Sequence, residues 1–259
     1  MPRFAPNPAR RPALLSGASS GIGAETARTL AAAGHPVALG ARRVGVCEQL
    51  AAEIRDEGGE AVAHGLDVSD PDSIKAFVAD ASSRIGDPEI LVSGAGDLGA
   101  ANVHEADPDA FAREVQTHLL GAQRLISTVA SGMVERRRGD IVLLGSDVAR
   151  SPRPRIGGYV AAKSGVEAMG RSMQMELEGT GVRASIVRPG QTATEMGTGL
   201  DESQTEPLLE DWIKWGFARH PYSLRPSDVA AAVSTVVSAP RGVNISLLEV
   251  EPEAPLETE

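Results

Sequence analysis

The sequence predicts an α/β protein, a single doubly wound domain whose parallel sheet of about seven strands carries helices on both faces. Three observations lead there. Short apolar runs of strand length alternate with longer runs at helical spacing from Ala13 to Val250. A turn holding Gly17, Gly21 and Gly23 joins the first strand-like run to the first helix-like one. No linker-like break and no internal repeat interrupts the 259 residues, a length that suits one large α/β domain.

The elements follow in order. Ala13-Leu14-Leu15 reads as a buried strand, and Ile22, Thr26 and Leu30, four apart, give the next helix one face to pack on it before Gly34 stops it. Pro36 to Leu39 is a second strand; the helix behind it carries Val46, Leu50 and Ile54 on one face and stops at Gly58-Gly59. Ala61-Val62-Ala63 is a third strand. Asp70-Pro71 then supplies an N-cap and a first helical proline, with Ile74, Phe77, Val78, Ala81 and Ile85 behind it. Ile90 to Ser93 is the fourth strand. Asp107-Pro108 opens one long helix through Phe111, Val115, Leu119, Leu125, Val129 and Met133, closing near Arg138-Gly139. Ile141 to Leu144 is the fifth strand, 158–178 a helix rich in Ala, Gly and Met, and 182–188 the sixth strand. A variable stretch spans 191–225, followed by a last helix at 229–237 and a last strand at 245–250. Residues 1–11 read as a polar leader outside the fold, 12–251 as the domain, and 252–259 as an acidic, proline-containing tail.

Composition narrows the partners. Hydrophobic residues make up 42% and charged residues 23%, as in an ordinary soluble core. The net charge of −10, from 25 basic and 35 acidic side chains, argues against nucleic acid or an anionic membrane as partner. The single cysteine, Cys47, allows no intrachain disulfide and fits a reducing, cytoplasmic setting; it reads as a core or surface thiol. No apolar run is long enough to cross a bilayer, and the leader has Arg3, Arg10 and Arg11 but no apolar stretch of a secretory signal. No metal site is expected.

In a doubly wound sheet, ligands sit beyond the carboxyl ends of the strands. After the first strand comes the glycine turn, whose free backbone N–H groups and helix N-terminus suit a phosphate. After the fifth comes Ser146. Early in the next helix Tyr159 and Lys163 stand four apart and share a face. A phenol with an ordinary pKa near ~10 is a poor base at neutral pH, and a nearby ammonium is expected to lower it. After the sixth strand come Pro189-Gly190, Thr192 and Thr194.

With these residues aligned, the chain resembles the short-chain dehydrogenase/reductase family from about Ala13 to Val250. Ser16-Gly17-Ala18-Ser19-Ser20-Gly21-Ile22-Gly23 is similar to its Thr-Gly-x-x-x-Gly-x-Gly turn, Tyr159-Val160-Ala161-Ala162-Lys163 to its Tyr-x-x-x-Lys, and Ser146 stands thirteen positions before Tyr159, a familiar family spacing. The resemblance implies a Rossmann-type fold, a nicotinamide dinucleotide, Tyr159 as general acid/base, Lys163 on the nicotinamide ribose, and Ser146 on the substrate oxygen. It implies Asp67 and Val68 at the adenine, Gly94-Ala95-Gly96 against the cofactor, and Thr192 and Thr194 at the nicotinamide carboxamide. NAD enzymes set an acidic residue after the second strand. Ala41 stands there, followed by Arg42 and Arg43, with the hydroxyls of Ser19 and Ser20 nearby; a guanidinium bonds a 2′-phosphate in a fork, so NADP(H) is expected.

Two departures stand out. The family's Asn-Asn-Ala-Gly after the fourth strand is Ser93-Gly94-Ala95-Gly96, which removes an asparagine that ties neighbouring strands. Its tetrad asparagine is replaced by His118, which reads either as a substitute in the proton relay, titrating near neutral pH, or as a packed histidine. The stretch 191–225 is expected to form a substrate lid holding Trp212 and Trp215, as an apolar pocket, a subunit contact or a helix packed on the domain. Arg150, Arg153 and Arg155 read as greeting an anionic substrate or as a solvated loop. The expected activity is hydride transfer between a carbonyl or alcohol and NADP(H). A cofactor-binding sensor with little turnover and a dehydratase or epimerase are the alternatives. The resemblance also implies a homodimer or homotetramer formed through the two long helices.

Overall fold

The computed structural model describes residues 5–196, 200–217, 220–254 and 256. Parts of the leader, lid and acidic tail named above lie outside these residues. Among the described residues seven strands form one sheet in the order β3-β2-β1-β4-β5-β6-β7: β1 Ala13–Ser16, β2 Val37–Ala41, β3 Ala61–Gly65, β4 Ile90–Ser93, β5 Gly139–Leu144, β6 Val182–Pro189 and β7 Leu247–Val250. Every pairing is parallel. Strand connections run outward in opposite senses from β1 and β4, so the crevice between these two is the switch point where ligands enter such sheets.

The period of two along each strand builds two cores. Ala13, Leu15, Val37 and Leu39 face α1 Gly21–Ala32, α2 Val44–Asp56 and α8 Pro226–Ser238, whose Leu30, Ile54 and Val233 are buried. Leu14, Ala38, Leu91, Ile141 and Leu143 face α3 Pro71–Ile85, α5 Gly121–Glu135 and α6 Gly157–Glu176, whose Phe77, Leu125 and Met173 are buried. In α2 it is Cys47, not Val46, that joins Leu50 and Ile54 inside; Val46 is exposed. Burial pushes the Cys47 thiol up to about 11, as an inert core group.

Two expectations need correction. The long helix expected from Asp107 is α4 Pro108–Val115 and α5, joined by a π-helical turn at Gln116–Leu120. A wider turn leaves the apolar spacing almost unchanged and is invisible to it. Arg11, assigned to the leader, is a core residue with 1% of its surface exposed. Its guanidinium bonds Asp140 and donates to the carbonyls of Val237 (3.0 Å) and Glu89 (3.3 Å), while Arg183 closes on the same Asp140 at 2.6 and 2.9 Å. This buried cluster pins the start of the chain to β5, β6 and α8. The lid stretch holds α7 Glu202–Lys214, opened by a reciprocal capping box of Asp201 and Gln204.

Candidate active site

The glycine turn follows β1 at the switch point. Gly17 has φ +73° and Gly21 φ +53°, conformations that favour glycine. A Cβ on Gly17 would lie 2.7 Å from the Gly94 carbonyl oxygen, and one on Gly23 2.2 Å from the Gly17 oxygen. Only bare backbone lets the turn, α1 and the segment after β4 meet this closely. Ser20, the N-cap of α1, makes no side-chain capping bond, and the first turn of α1 has no acidic residue. Its N–H donors and helix dipole are thus left to an anion, and Ile22 lies among them on the half-buried first turn. The strand tie expected to be lost with the family asparagine is made by Ser16 instead. Its Oγ accepts from the backbone N–H of Gly94 (3.1 Å) and Ala95 (3.3 Å).

Beyond β2, Arg42 and Arg43 are exposed. Arg43 donates to Ser19 Oγ (3.1 Å), Ser20 Oγ (2.9 Å) and Glu195 (2.8 Å), so guanidinium, hydroxyls and glycine turn converge. Glu195 sits where it would compete with an incoming phosphate, a feature the sequence did not suggest. The Asp67 carboxylate accepts from the N–H (2.8 Å) and Oγ (2.6 Å) of Ser69, bonds that hold it below the usual carboxylate range. Val68 is buried and packs on Gly121. Thr194 packs against Gly21, and Thr192 Oγ1 donates to the Gly190 carbonyl (2.9 Å) just past Pro189.

The chemistry-bearing side chains gather beyond β5. Tyr159, Lys163 and Glu167 rise along one face of α6 at successive turns. Lys163 is buried and donates to the carbonyl of Leu144, the last residue of β5, at 2.8 Å. Burial takes its ammonium down to about 8 against the pull of Glu167. Glu167, 1% exposed, is itself held by Arg188 at 2.9 and 2.5 Å. Its place four residues after Lys163 was the one sequence signal for it. Ser146, the N-cap of a short 3-10 turn at Asp147–Ala149, shares a side-chain hydrogen bond with Tyr159 and donates to Asp147 Oδ1 at 3.2 Å.

The pKa of Tyr159 moves opposite to expectation. Burial pushes the phenol up to about 12; the Ser146 bond and Arg153 pull it down, and the Asp147 and Glu114 charges raise it. The Lys163 ammonium sits 5.7 Å over the ring, committed to Leu144, rather than at the hydroxyl. For His118 the packed reading fits, and the near-neutral titration of the relay reading does not. Its ring meets Tyr159 edge-on at 5.2 Å and Nε2 lies against the backbone of Asp97, while Nδ1 has no partner among the described residues. Burial, with the Lys163 charge, takes it down to about 3, so it stays neutral near neutral pH. Gly96 is required beside it, since a Cβ there would lie 1.9 Å from the imidazole.

The loop arginines are engaged by carboxylates, Arg150 from an exposed position and Arg153 and Arg155 from part-buried ones. Arg150 pairs with Glu249 (2.8 Å) and Glu251 (3.0 Å), Arg153 with Asp147, and Arg155 with Asp211 of α7 (2.6 Å). Trp212 takes Arg153 on its face at 4.9 Å and donates to the Pro154 carbonyl at 3.2 Å, closing α7 over the loop. Val148, Ile156 and Leu208 form an apolar cluster there, with Trp212 and Tyr159 on its edge. Trp215 is exposed. Asp147 and Glu114 were missed, being lone acids without a motif. Glu114 Oε1 accepts from the Gly99 N–H at 2.7 Å, and its Oε2 leaves no room for a Cβ on Gly158. Among the described residues no group of three or more His, Cys, Asp or Glu side chains could hold a metal, and no helix is long and apolar enough to cross a membrane.

A glycine cradle at the switch point beside a Ser-Tyr-Lys constellation is matched by a family model described as short chain dehydrogenase over residues 11–205. The chain belongs to the short-chain dehydrogenase family. Several of its members are similar to this chain. The glycine betaine reductase of Emericella nidulans is 32% identical over 241 residues, covering 93% of this chain, which spans only 18% of that longer protein. The 2,3-dihydro-2,3-dihydroxybenzoate dehydrogenase of Bacillus subtilis is 30% identical over 235 residues, 89% of this chain and 90% of its own. A crystal structure of a single-residue variant of the actinorhodin polyketide ketoreductase with NADPH, 30% identical, superimposes with a TM-score of 0.83 over 93% of this chain and 95% of its own.

Proposed function

We propose that this short-chain dehydrogenase is an NADP(H)-dependent oxidoreductase that moves a hydride between nicotinamide and a carbonyl or alcohol substrate. The observation that carries the reading is the convergence of Ser146, Tyr159 and Lys163 beside the glycine cradle. The bare turn and uncapped first turn of α1 fit a pyrophosphate, and Arg42, Arg43, Ser19 and Ser20 fit a 2′-phosphate. Gly94, Ala95, Gly96, Pro189, Gly190, Thr192 and Thr194 complete the expected lining. The ketoreductase that superimposes on this chain was solved with NADPH, in keeping with that choice.

When bound, the cofactor supplies or accepts the hydride. The protein's share is the proton and its placement. Tyr159 Oη, kept protonated, donates to the substrate oxygen during carbonyl reduction and takes the proton back during oxidation. Ser146 Oγ orients that oxygen, and Lys163 keeps a positive charge beneath the phenol. His118 braces the Tyr159 ring as a neutral group. The closure of Trp212 and Arg153 excludes water from the substrate side. A cytoplasmic setting and assembly into two or four copies through α5 and α6 belong to the same reading.

The test is consumption of NADPH against a panel of ketones and aldehydes. Arg42→Asp replaces a charged hydrogen-bond donor of about 1.5–3 kcal/mol, so the KM for NADPH is expected to rise about 10- to 100-fold. No turnover across the panel, or an unchanged KM, sinks the corresponding half of the reading.

A further inference from the structure

At the amino ends of β5 and β6, one strand length of about 20 Å from Ser146, lies a cavity of about 980 Å³ between α6, the end of α5 and the 241–246 segment. Six arginines line it: Arg136, Arg137, Arg138, Arg171, Arg183 and Arg241, and Glu178 is the one acidic residue among the lining side chains. In a chain of net charge −10 that is a strong local reversal of sign. We infer that this cavity is a binding site for a small oligophosphate-bearing molecule.

The neighbouring carboxylates offset the arginines only in part. Arg136 pairs with Asp87 (3.4 Å) and donates to the Pro88 carbonyl (2.9 Å). Behind the wall, Arg11, Arg138 and Arg183 share Glu89 and Asp140. Arg171 reaches Glu167 only at 3.6 Å, and both oxygens of that carboxylate already bond Arg188. Arg241 is held below its ordinary range by burial and by the charges of Arg183, Arg11 and Arg138, which outweigh Asp140. The guanidiniums thus crowd one another, the condition a compact polyvalent anion relieves. Arg137 adds an independent sign. It follows the C-cap of α5 at φ +53°, where glycine is the usual occupant. Its side chain makes no hydrogen bond or ion pair among the described residues. The left-handed turn closes α5, with the Arg137 N–H on the Val134 carbonyl and the Arg138 N–H on that of Met133, both at 3.0 Å, and it leaves the Arg137 guanidinium unpaired at the cavity. Planar guanidiniums grip phosphate oxygens in pairs, and a volume near the upper end of small-molecule sites suits a nucleotide-sized molecule as well as a free oligophosphate.

The test is calorimetric titration of the full chain with inorganic tripolyphosphate and, separately, ADP, each with NADPH held at saturation so that the glycine cradle is filled. A titration of NADPH alone checks that filling independently. One saturable event per chain is expected with at least one of the two probes, and the tighter probe identifies the source. Arg137→Gly combined with Arg171→Glu should weaken it at least tenfold. Arg137→Gly alone should not lower Tm, because glycine relieves the left-handed backbone, which separates a lost ligand from a damaged fold. No saturable binding by either probe, or binding unchanged in the double variant, overturns the inference.

Discussion

The protonation of Tyr159 offers the most direct test of the site's electrostatics. The chain has two tyrosines, Tyr159 and Tyr222, so the difference in phenolate absorbance between wild type and Tyr159→Phe isolates one group. With the phenol at about 12, only about one molecule in ten thousand carries phenolate at pH 8. Had the Lys163 ammonium brought it to about 7, roughly nine in ten would do so. The two cases differ by nearly the full amplitude of the signal between pH 6 and 9. The difference titration is expected to stay flat through that range. The sign for stability follows: a folded value above the ordinary one gives a contribution present below about pH 10 and lost as pH rises through about 12. In turnover the phenol is then a proton donor ready for reduction. Tyr159→Phe should cut the rate of carbonyl reduction about 100- to 10,000-fold while leaving NADPH binding in place. A phenolate step near pH 7 would refute the reasoning that burial and Asp147 outweigh Lys163.

Two further outcomes follow from the same geometry. His118, lowered to about 3, makes the folded chain bind fewer protons than the unfolded one between about pH 3 and 6.5. Stability should therefore fall with decreasing pH across that window by up to about 1.4 kcal/mol per unit more steeply in wild type than in His118→Asn, measured by urea unfolding; parallel curves would show that the imidazole is not held neutral. Asp140→Asn leaves the guanidiniums of Arg11 and Arg183 without their buried counter-charge and should cost about 3–5 kcal/mol in the same assay. A loss below about 1 kcal/mol would mean that water reaches the cluster.

The sheet, the glycine turn and the Ser146-Tyr159-Lys163 constellation were legible because each is a local pattern. A strand alternates every second residue, a helix every third or fourth, and Gly17, Tyr159 and Lys163 announce themselves by type and spacing. Arg11 was misread as part of a leader because nothing local marks a charge whose partners, Asp140 and Val237, lie more than a hundred residues away. Arg150 and Arg155 likewise meet carboxylates far along the chain, while the Asp147 that holds Arg153 is only six residues before it. Their pairing with Glu249, Asp147 and Asp211 needs β7, the 3-10 turn and α7 brought to one corner.

The amino-acid order by itself thus determined most of the elements and the residues proposed to carry the chemistry, since both depend on near neighbours along the chain. Tertiary structure alone decided the charge states. The Tyr159 phenol is driven up and the Lys163 ammonium and His118 imidazole down, because desolvation depends on what surrounds a group in space and falls hardest on the ionised form.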